Sequence, residues 1–331
     1  LAAQHLEVIA GDKGTANLGV SPSSWDRLAA DVDLIVDAAA VVNSAMSYRE
    51  LFGPNVIGTA ELIKLALTTI RKRIDFVSTS NVGDQVPAGE FTEDTDIRIS
   101  CPGRVTAATL ANGYGNSKWA AEVLLREASD QFALPITVFR SGMILTDTSY
   151  RGQLNLTDTI TRTVLSIVAT GIAPASFYRL NPDGSRPRAH FDGLPVEFVA
   201  RAIATLGARP AGYQTYHVMN PHDDGIGLDE YVDWVIDAGY PVRRVDDFAA
   251  WAREMSEALK RLPERQQKYS MLPMLQLATA ARDQDGQVSP LNPAPRHRPS
   301  AVRFRAAVRQ SSGAAAKSIA GQYYSDIPGV T

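Results

Sequence analysis

The sequence has little that would suit a secreted, membrane-spanning or disulfide-stabilised protein. Cys101 is the single cysteine among 331 residues, so no disulfide can form within the chain, and a reducing cytoplasmic location is expected. Cys101 stands in a Ser-Cys-Pro-Gly stretch that predicts a turn, so we interpret it as a small loop residue rather than a nucleophile. The longest apolar run, residues 34–42, is too short to cross a membrane, and no signal peptide is present.

Strong charge of either sign is also missing. The chain carries 33 basic and 36 acidic residues, a formal net charge of -3, and no long block of like charges. This balance gives no field that would recruit nucleic acid or anionic lipid, so neither is expected as a partner. The length allows one large α/β unit or two packed domains.

A third absence concerns glycine spacing. Dinucleotide-binding folds open with a strand, a glycine-rich turn and a helix that holds the pyrophosphate, and no G-x-x-G-x-x-G motif occurs here. Gly11 and Gly14 follow a predicted strand over residues 6–10, but their spacing is wrong. Either the protein does not bind dinucleotides or the first β-α-β unit lies outside this chain, which starts at Leu1. The rest of the sequence favours the second.

Strand and helix signals alternate along the first part of the chain. Ser21 can cap a helix over residues 21–31, and Pro22 suits its first turn. Strands are predicted at 33–37, 74–78 and 136–140, helices at 55–69 and 114–129, and a long polar stretch at 84–112. This alternation predicts an α/β fold with a doubly wound parallel sheet.

The pattern loosens beyond residue 140. Helices are predicted at 157–170 and 195–206, a strand at 213–219, and a core-facing apolar stripe from Phe248 to Leu262. Residues 281–305 have the composition of a linker. We expect the remainder of a dinucleotide-binding domain over 1–145 and a smaller substrate-binding region with a C-terminal tail over 146–331, with strand 213–219 returning to the main sheet.

The segment from Tyr114 to Lys118 carries the sharpest chemical signal. Residues four apart share a helix face, so Lys118 is predicted to lie beside Tyr114. A free tyrosine has a pKa of ~10, and a neighbouring ammonium lowers it. The pair could therefore protonate a carbonyl oxygen while hydride reaches the carbon, and Lys118 could also bind ribose hydroxyls. Y-x-x-x-K is common by chance, but its place between the strands at 74–78 and 136–140 favours this interpretation.

Two hydroxyl residues, Thr79 and Ser80, follow the strand at 74–78. Doubly wound sheets bind ligands at this carboxyl end, where a hydroxyl can stabilise negative charge that develops on a substrate oxygen. The alternative is that these hydroxyls only satisfy loop amides. With Tyr114 nearby in the predicted fold, the functional interpretation is favoured and both residues are candidates.

Together these segments resemble the extended short-chain dehydrogenases/reductases. The resemblance rests on Ser78–Val82, on Asn112-Gly113-Tyr114, and on Ser117-Lys118-Trp119 followed by Glu122. The tryptophan and the glutamate are characteristic of the thioester reductase domains that end carboxylic acid reductases and some nonribosomal peptide synthetases. Residues 220–225 and 229–234 look particularly like carboxylic acid reductases. The resemblance covers nearly the whole chain and is weakest after about residue 280.

The resemblance implies roles for particular residues. Thr79 rather than Ser80 matches the family's catalytic hydroxyl, Tyr114 its proton donor and Lys118 the partner of that donor. The residues implied at the cofactor are Gly11, Asp12, Ala39, Ala40, Val41, Thr79, Tyr114, Lys118, Ser141, Gly142 and Met143. Within this set, Asp12 matches the acidic residue at the adenine, and residues 141–143 match the stretch beside the nicotinamide. Asn55 matches the family's helix start, where its role is mainly structural.

The implied activity is the NADPH-dependent reduction of an acyl thioester to an aldehyde. The thioester would be carried on the phosphopantetheine arm of an acyl carrier domain, with an adenylation domain upstream in the same parent chain. Residues 84–112 and those from about 146 onward would form the acyl and carrier side.

Two departures from the family pattern stand out. The residues that would select the 2′-phosphate of NADPH fall before Leu1, so NADPH over NADH rests on the resemblance alone. Gly142 occupies a place where close relatives commonly carry Asp. Glycine removes a carboxylate near the nicotinamide and frees the backbone.

Two other functions remain open. A nucleotide-sugar epimerase or dehydratase would use the same Tyr and Lys, and a catalytically silent domain would only bind a partner. The presence of Thr79, Tyr114 and Lys118 together argues against silence. His190, Asp192 and His217 lack the spacing of a triad or metal site, and we interpret the histidines as packing or surface residues.

Overall fold

The computed structural model describes residues 4–275 except for short gaps at 44–45, 88, 107–111, 148–154, 157, 192, 209–211 and 221–223. The described residues form two compact units. The first is built from Leu1–Ile144 and Val196–Asn220, and the second from Leu145–Pro195 and Pro221–Arg298, as far as these segments are described. The predicted linker at 281–305 lies outside the described residues.

The strands and helices follow the chain in this order. The strands are β1 (Leu34–Asp37), β2 (Arg73–Thr79), β3 (Ile136–Ser141), β4 (Met143–Leu145), β5 (Ile172–Pro174), β6 (Gly193–Pro195), β7 (Tyr213–Val218) and β8 (Arg243–Val245). The helices are α1 (Pro22–Asp31), α2 (Tyr48–Leu51), α3 (Gly58–Leu67), α4 (Ile97–Ser100), α5 (Gly113–Phe132), α6 (Thr159–Thr170), α7 (Val196–Gly207), α8 (Leu228–Asp237), α9 (Phe248–Lys260) and α10 (Glu264–Lys268).

A parallel sheet in the order β1-β2-β3-β7 forms the centre of the first unit. Its strands are rich in buried apolar residues, as expected where helices cover a parallel sheet. The register sets Thr79 opposite Ser141 and Ser141 opposite Val218. The carboxyl ends of three neighbouring strands therefore meet at one edge. The predicted α/β fold with a parallel sheet is confirmed.

The helix predicted at 21–31 is confirmed as α1. Ser21 accepts a hydrogen bond from the Ser24 N–H at 3.2 Å, and Pro22 is the first helical residue. The strand predicted at 6–10 is wrong, because these residues have no strand assignment and Leu6 and Val8 are 68% and 85% exposed. An apolar run becomes a strand only when a neighbour takes its backbone hydrogen bonds, and within the described residues no strand pairs with this segment.

The helix predicted at 55–69 begins earlier than expected. A capping box joins Ser47 and Glu50 at the start of α2, and a π-helical turn, Phe52–Ile57, leads into α3. Pro54 has no N–H and crowds the carbonyl four residues before it. The wider π turn accommodates the proline, and such turns often mark functional sites.

The polar stretch expected at 84–112 folds more extensively than predicted. It contains α4, and within the described residues it contributes Val86, Phe91, Ile97 and Cys101 to a buried cluster with Val82. Its fold depends on α5, because Trp119 and Val123 of that helix pack on the cluster. The sequence pattern gave no periodic signal for this segment, since its buried residues are spaced irregularly.

The second unit places its core on α9. Trp251, Met255 and Leu259 of the predicted stripe are buried, so that stripe is confirmed as a core face. The ring of Phe177 meets Trp251 edge-on, with centroids 5.5 Å apart. A short parallel pair, β5 with β8, flanks this core.

Candidate active site

Thr79 closes β2 at the carboxyl edge of the sheet. It is 8% exposed, and its Oγ1 accepts the Asn81 N–H at 3.3 Å at the start of a 3-10 turn. The hydroxyl hydrogen remains available as a donor in this arrangement. Ser80, the second candidate, begins that turn.

Helix α5 brings Tyr114 and Lys118 to the same part of the first unit. The helix begins at Gly113, which lies so close to the preceding backbone that a Cβ would come within 2.3 Å of the Met46 carbonyl oxygen. Only glycine allows this approach, so the residue before Tyr114 fixes where the helix starts. Tyr114 and Lys118 then occupy successive turns.

Lys118 is buried against β2. The side chain is 3% exposed, and Nζ donates a hydrogen bond to the Val77 carbonyl oxygen at 2.7 Å. Nζ also lies 4.4 Å from the centre of the Phe76 ring. Burial lowers the pKa of Lys118 to about 8, while the nearby Asp37 carboxylate raises it. Lys118 is therefore mostly an ammonium at neutral pH.

The pKa of Tyr114 differs from the value expected from the nearby Lys118. Burial raises the pKa of Tyr114 to about 12, whereas a lowered pKa was predicted from the ammonium of Lys118. The prediction is wrong because burial of Tyr114 disfavours the charged phenolate, and the Lys118 ammonium is hydrogen-bonded to the Val77 carbonyl oxygen. Tyr114 consequently stays a protonated phenol at neutral pH, which is the form that can donate a proton.

The segment predicted to pass along the cofactor is held by Asn55. Its amide accepts the Val41 N–H at 2.9 Å and donates to the Val41 carbonyl at 3.1 Å. The same amide donates to the Ser117 Oγ at 2.9 Å, and Ser117 Oγ donates to the Tyr114 carbonyl at 2.8 Å. Asn55 thus ties the loop that contains Ala39–Val41 to the first turn of α5.

Lys13 was missed by the sequence analysis. Its Nζ pairs with the buried carboxylate of Asp37 at the end of β1 and donates to the Ala39 carbonyl at 3.2 Å. Its Cγ would lie 2.5 Å from a Cβ at position 58, where the chain has Gly58. The sequence offered one signal, a strand that ends in a carboxylate and therefore needs a partner.

Gly11 and Asp12 lie in an exposed loop rather than at a strand end. Asp12 Oδ1 accepts the Gly14 N–H at 2.9 Å, and the Asp12 N–H donates to the Leu18 carbonyl at 2.8 Å. A Cβ at Gly11 would come within 2.6 Å of that same carbonyl oxygen. In this structure both residues shape the turn before α1.

The last predicted group, Ser141–Met143, stands at the end of β3. Ser141 is 3% exposed, and its Oγ makes no hydrogen bond within the described part of the chain. The Gly142 N–H donates to the Val218 carbonyl at 3.3 Å, and Gly142 has no positive φ. The backbone itself therefore does not require glycine at position 142. Met143 begins β4 and is partly buried.

These contacts fit a nicotinamide cofactor. An ammonium has three donors, and Val77 is the only hydrogen-bond partner of Lys118 among the described residues, so two donors can face ribose hydroxyls. The unused Ser141 Oγ lies beside Thr79 in register. A buried hydroxyl without a partner is costly, so a polar ligand at this edge would satisfy it.

The two histidines considered in the sequence, His190 and His217, lie in different units, His190 in the second and His217 in the first. His190 Nδ1 lies 2.8 Å from Asp224 Oδ1, and Asp192 is outside the described residues. His217, in the first unit, is fully buried and stacks on Phe91 with ring centroids 4.6 Å apart, as predicted for a packing residue. Across the described residues, His, Cys, Asp and Glu form no group that could hold a metal ion.

Together, the parallel sheet and helix α5, whose Lys118 is hydrogen-bonded to β2 two residues before Thr79, define an NAD-binding fold of the short-chain dehydrogenase/reductase type. Comparison with known families agrees. The chain belongs to the NAD-binding family described as Male sterility protein, whose family model matches residues 1–203. No described helix is long and apolar enough to cross a membrane.

Three relatives illustrate the similarity. Over 93% of this chain, the sequence is 59% identical to isonitrile lipopeptide synthase of Mycobacterium tuberculosis. Over 94% of this chain, it is 53% identical to carboxylic acid reductase of Mycobacterium marinum. It spans 12% and 26% of those two proteins. The crystal structure of a reductase (R) domain of a nonribosomal peptide synthetase from Mycobacterium tuberculosis matches with a TM-score of 0.83 and 57% identity, over 94% of this chain and 70% of that domain.

Proposed function

We propose that this chain is the reductase part of a carboxylic acid reductase or a related synthetase, and that it reduces a carrier-bound acyl thioester to an aldehyde with NADPH. One observation carries the proposal. Tyr114 and Lys118 occupy successive turns of α5, and Lys118 is fixed on β2 two residues before Thr79. The named reductases among the relatives support the same chemistry.

NADPH, when bound, supplies the hydride that adds to the thioester carbonyl carbon. The Thr79 hydroxyl and the Tyr114 phenol donate hydrogen bonds to the oxygen as negative charge develops on it. Tyr114 then transfers its proton to that oxygen, which gives a thiohemiacetal. In the collapse of the thiohemiacetal, the hydroxyl proton returns to the Tyr114 phenolate, the carbonyl re-forms and the C–S bond breaks. The aldehyde is released, and the departing carrier thiolate takes a proton from solvent.

The high pKa of Tyr114 suits this role. A phenol with a pKa of about 12 is fully protonated at neutral pH, and an alkoxide oxygen is basic enough to take its proton. The Lys118 ammonium compensates the phenolate that remains. Lys118 therefore stabilises the Tyr114 phenolate that forms after proton transfer, rather than lowering the pKa of Tyr114 before it.

The residues assigned to the cofactor follow the same proposal. They are Gly11 and Asp12 at the adenine side, Ala39, Ala40 and Val41 along the cofactor, and Thr79, Tyr114, Lys118, Ser141, Gly142 and Met143 at the nicotinamide side. The clamp of Val41 by Asn55 and the free donors of Lys118 support this assignment. The choice of NADPH over NADH rests on the family resemblance.

The partners are proposed on the same ground. The chain spans only part of its curated relatives, so we infer a carrier domain that delivers the acyl group on a phosphopantetheine arm and an adenylation domain that loads it. A cytoplasmic location agrees with a single buried cysteine, Cys101.

The test is a turnover assay on the full-length protein. An acyl-pantetheine thioester and NADPH should give oxidation of the cofactor and a free aldehyde. A nucleotide sugar in place of the thioester should give neither. Isolation of the protein with tightly held NAD and turnover of the sugar would instead identify an epimerase, and binding without any turnover would identify a silent domain.

A further inference from the structure

A buried carboxylate, Glu122, lies on α5 one turn beyond Lys118. It is 0% exposed. Its Oε1 accepts a hydrogen bond from the Ser78 Oγ at 2.5 Å. Arg140 donates to it from Nη2 at 2.7 Å and from Nε at 3.1 Å. All of these groups lie inside the first unit, and the mechanism above uses none of them.

Arg140 is itself held from its other side. Its Nη1 donates to the Thr92 carbonyl at 3.3 Å and lies 3.2 Å from His217 Nε2. A guanidinium can only donate, so His217 Nε2 is the acceptor of this hydrogen bond. The centre of the Phe91 ring lies 4.9 Å from the guanidinium carbon. These contacts restrict the orientation of the guanidinium.

The network includes one residue on each of two strands, β2 and β3. Each of these residues directly precedes a residue that we assign to the site. Ser78 precedes Thr79 on β2, and Arg140 precedes Ser141 on β3. Neighbouring residues on a strand point to opposite faces of the sheet. Ser78 and Arg140 therefore meet α5 on one face, while Thr79 and Ser141 end the same two strands on the other.

We propose that Glu122 is a positioning residue, anchored by Ser78 and Arg140, that fixes α5 on the sheet so that Tyr114 and Lys118 stand at the carboxyl end of β2. This inference rests on the proposed function. An apolar helix face can shift on a sheet at little cost, whereas a hydrogen-bonded ion pair with several fixed contacts has one geometry. Displacements of about 1 Å can cost about 100-fold in rate.

The carboxylate also acts on Lys118 through its charge. Glu122 raises the pKa of Lys118, as Asp37 on β1 does, while the Lys13 ammonium in the preceding loop lowers it. Glu122 is separated from Lys118 by one helical turn, so its negative charge helps to keep the lysine protonated. Removal of that charge should reduce the pH range over which Lys118 is an ammonium.

The experiment compares two carboxylates of α5. Glu122→Gln keeps the shape of the side chain and removes its charge. Glu127→Gln is the matched control, because Glu127 is paired with Arg98 at 2.5 Å on the exposed side of the same helix. Both are made in the full-length protein, and kcat is expressed per cofactor-binding site, so that unfolded molecules do not count.

For Glu122→Gln we expect kcat for the acyl-pantetheine thioester to fall by about 10- to 100-fold, with the dissociation constant for NADPH changed by less than about threefold. The alkaline limb of the pH profile should move to lower pH. Glu127→Gln should leave all three readouts unchanged. A folded Glu122→Gln protein with wild-type kcat and an unmoved alkaline limb would overturn the proposal.

A second variant covers the case in which Glu122→Gln does not fold. The double change of Glu122→Gln with Arg140→Met removes both charges, and such replacements of a buried pair are often tolerated. We expect this protein to fold and to bind NADPH with the rate still reduced. A wild-type rate in the double variant would show that the pair serves stability alone. A wild-type protein without thioester turnover would refute the proposed function instead.

Discussion

The two sides of α5 carry ion pairs of very different surroundings. On the inner side, Glu122 and Arg140 are buried, with side chains 0% and 2% exposed. On the outer side, Arg98 bonds to Glu127 and to Asp130, with side chains between 26% and 45% exposed. The distances are similar, 2.7 Å inside and 2.5 Å and 2.6 Å outside. Burial rather than distance therefore distinguishes the two networks.

The inner side also carries the residues to which we assign the chemistry. Tyr114, Lys118 and Glu122 follow one another at intervals of four residues, so a single stripe of the helix holds the proposed proton donor, its proposed partner and the proposed anchor. The ion pairs that Arg98 makes with Glu127 and Asp130 on the outer side are partly exposed and therefore screened by solvent. We expect changes on the inner stripe to alter rate and stability, and changes on the outer side to alter little.

Among changes on the two sides of α5, we expect the largest effect, a loss of turnover, for Tyr114→Phe on the inner side. The ring still packs but its proton is lost, and general acid catalysis contributes about 10²- to 10⁴-fold. Thioester turnover should fall by that factor while NADPH binding, followed by the fluorescence of the reduced nicotinamide, stays near the wild-type value. A rate close to wild type would remove Tyr114 from the mechanism.

A smaller effect, on stability, is expected for Glu122→Gln. Removing one partner leaves the guanidinium of Arg140 buried without its counter-charge, and such changes cost about 3–5 kcal/mol. Denaturant unfolding of the variant and the wild type measures the difference. A loss of unfolding free energy below about 1 kcal/mol would mean that the buried pair contributes no more to stability than an exposed one.

The third effect appears in the pH profile. The pKa of Lys118 is lowered to about 8, and the proposed mechanism requires its ammonium form. Activity should therefore be retained below pH 8 and fall about tenfold for each further unit above it. Rates measured between neutral and alkaline pH, with protein stability checked at each pH, test this. A profile flat to pH 10 would mean that the charge of Lys118 is not needed.

The smallest effect is expected for Glu127→Gln. Exposed ion pairs contribute about 0–1 kcal/mol, and Arg98 keeps its bonds to Asp96 and Asp130. Unfolding free energy and turnover should both stay near wild type, and added salt should reduce the difference further. A loss comparable to that of Glu122→Gln would show that the two sides of the helix are equivalent after all.

The sequence was informative wherever a local pattern decided the structure. Apolar runs predicted β1, β2, β3 and β7, and the Tyr114–Lys118 spacing predicted that both residues lie on one helix, as they do on α5. The buried network could not be predicted in this way. Ser78, Glu122 and Arg140 lie far apart in the chain, and only the packing of α5 on the sheet brings them together.

The errors have the same origin. Residues 6–10 have the composition of a strand but are exposed, because strand formation depends on a neighbour that the local sequence does not specify. The pKa of Tyr114 was predicted from the nearby Lys118 and is instead set by burial. In both cases the residue types were read correctly and the environment decided the outcome.

The central claim, that hydride reaches a thioester carbonyl held at Thr79 and Tyr114, can be tested by isotope transfer. The full-length protein would be incubated with an acyl-pantetheine thioester and NADPH deuterated at the transferred position, and the product analysed by mass spectrometry. The account predicts an aldehyde with one deuterium on its carbonyl carbon, released together with free pantetheine thiol. Thiol release with an unlabelled product, or oxidation of the cofactor without an aldehyde, would contradict it.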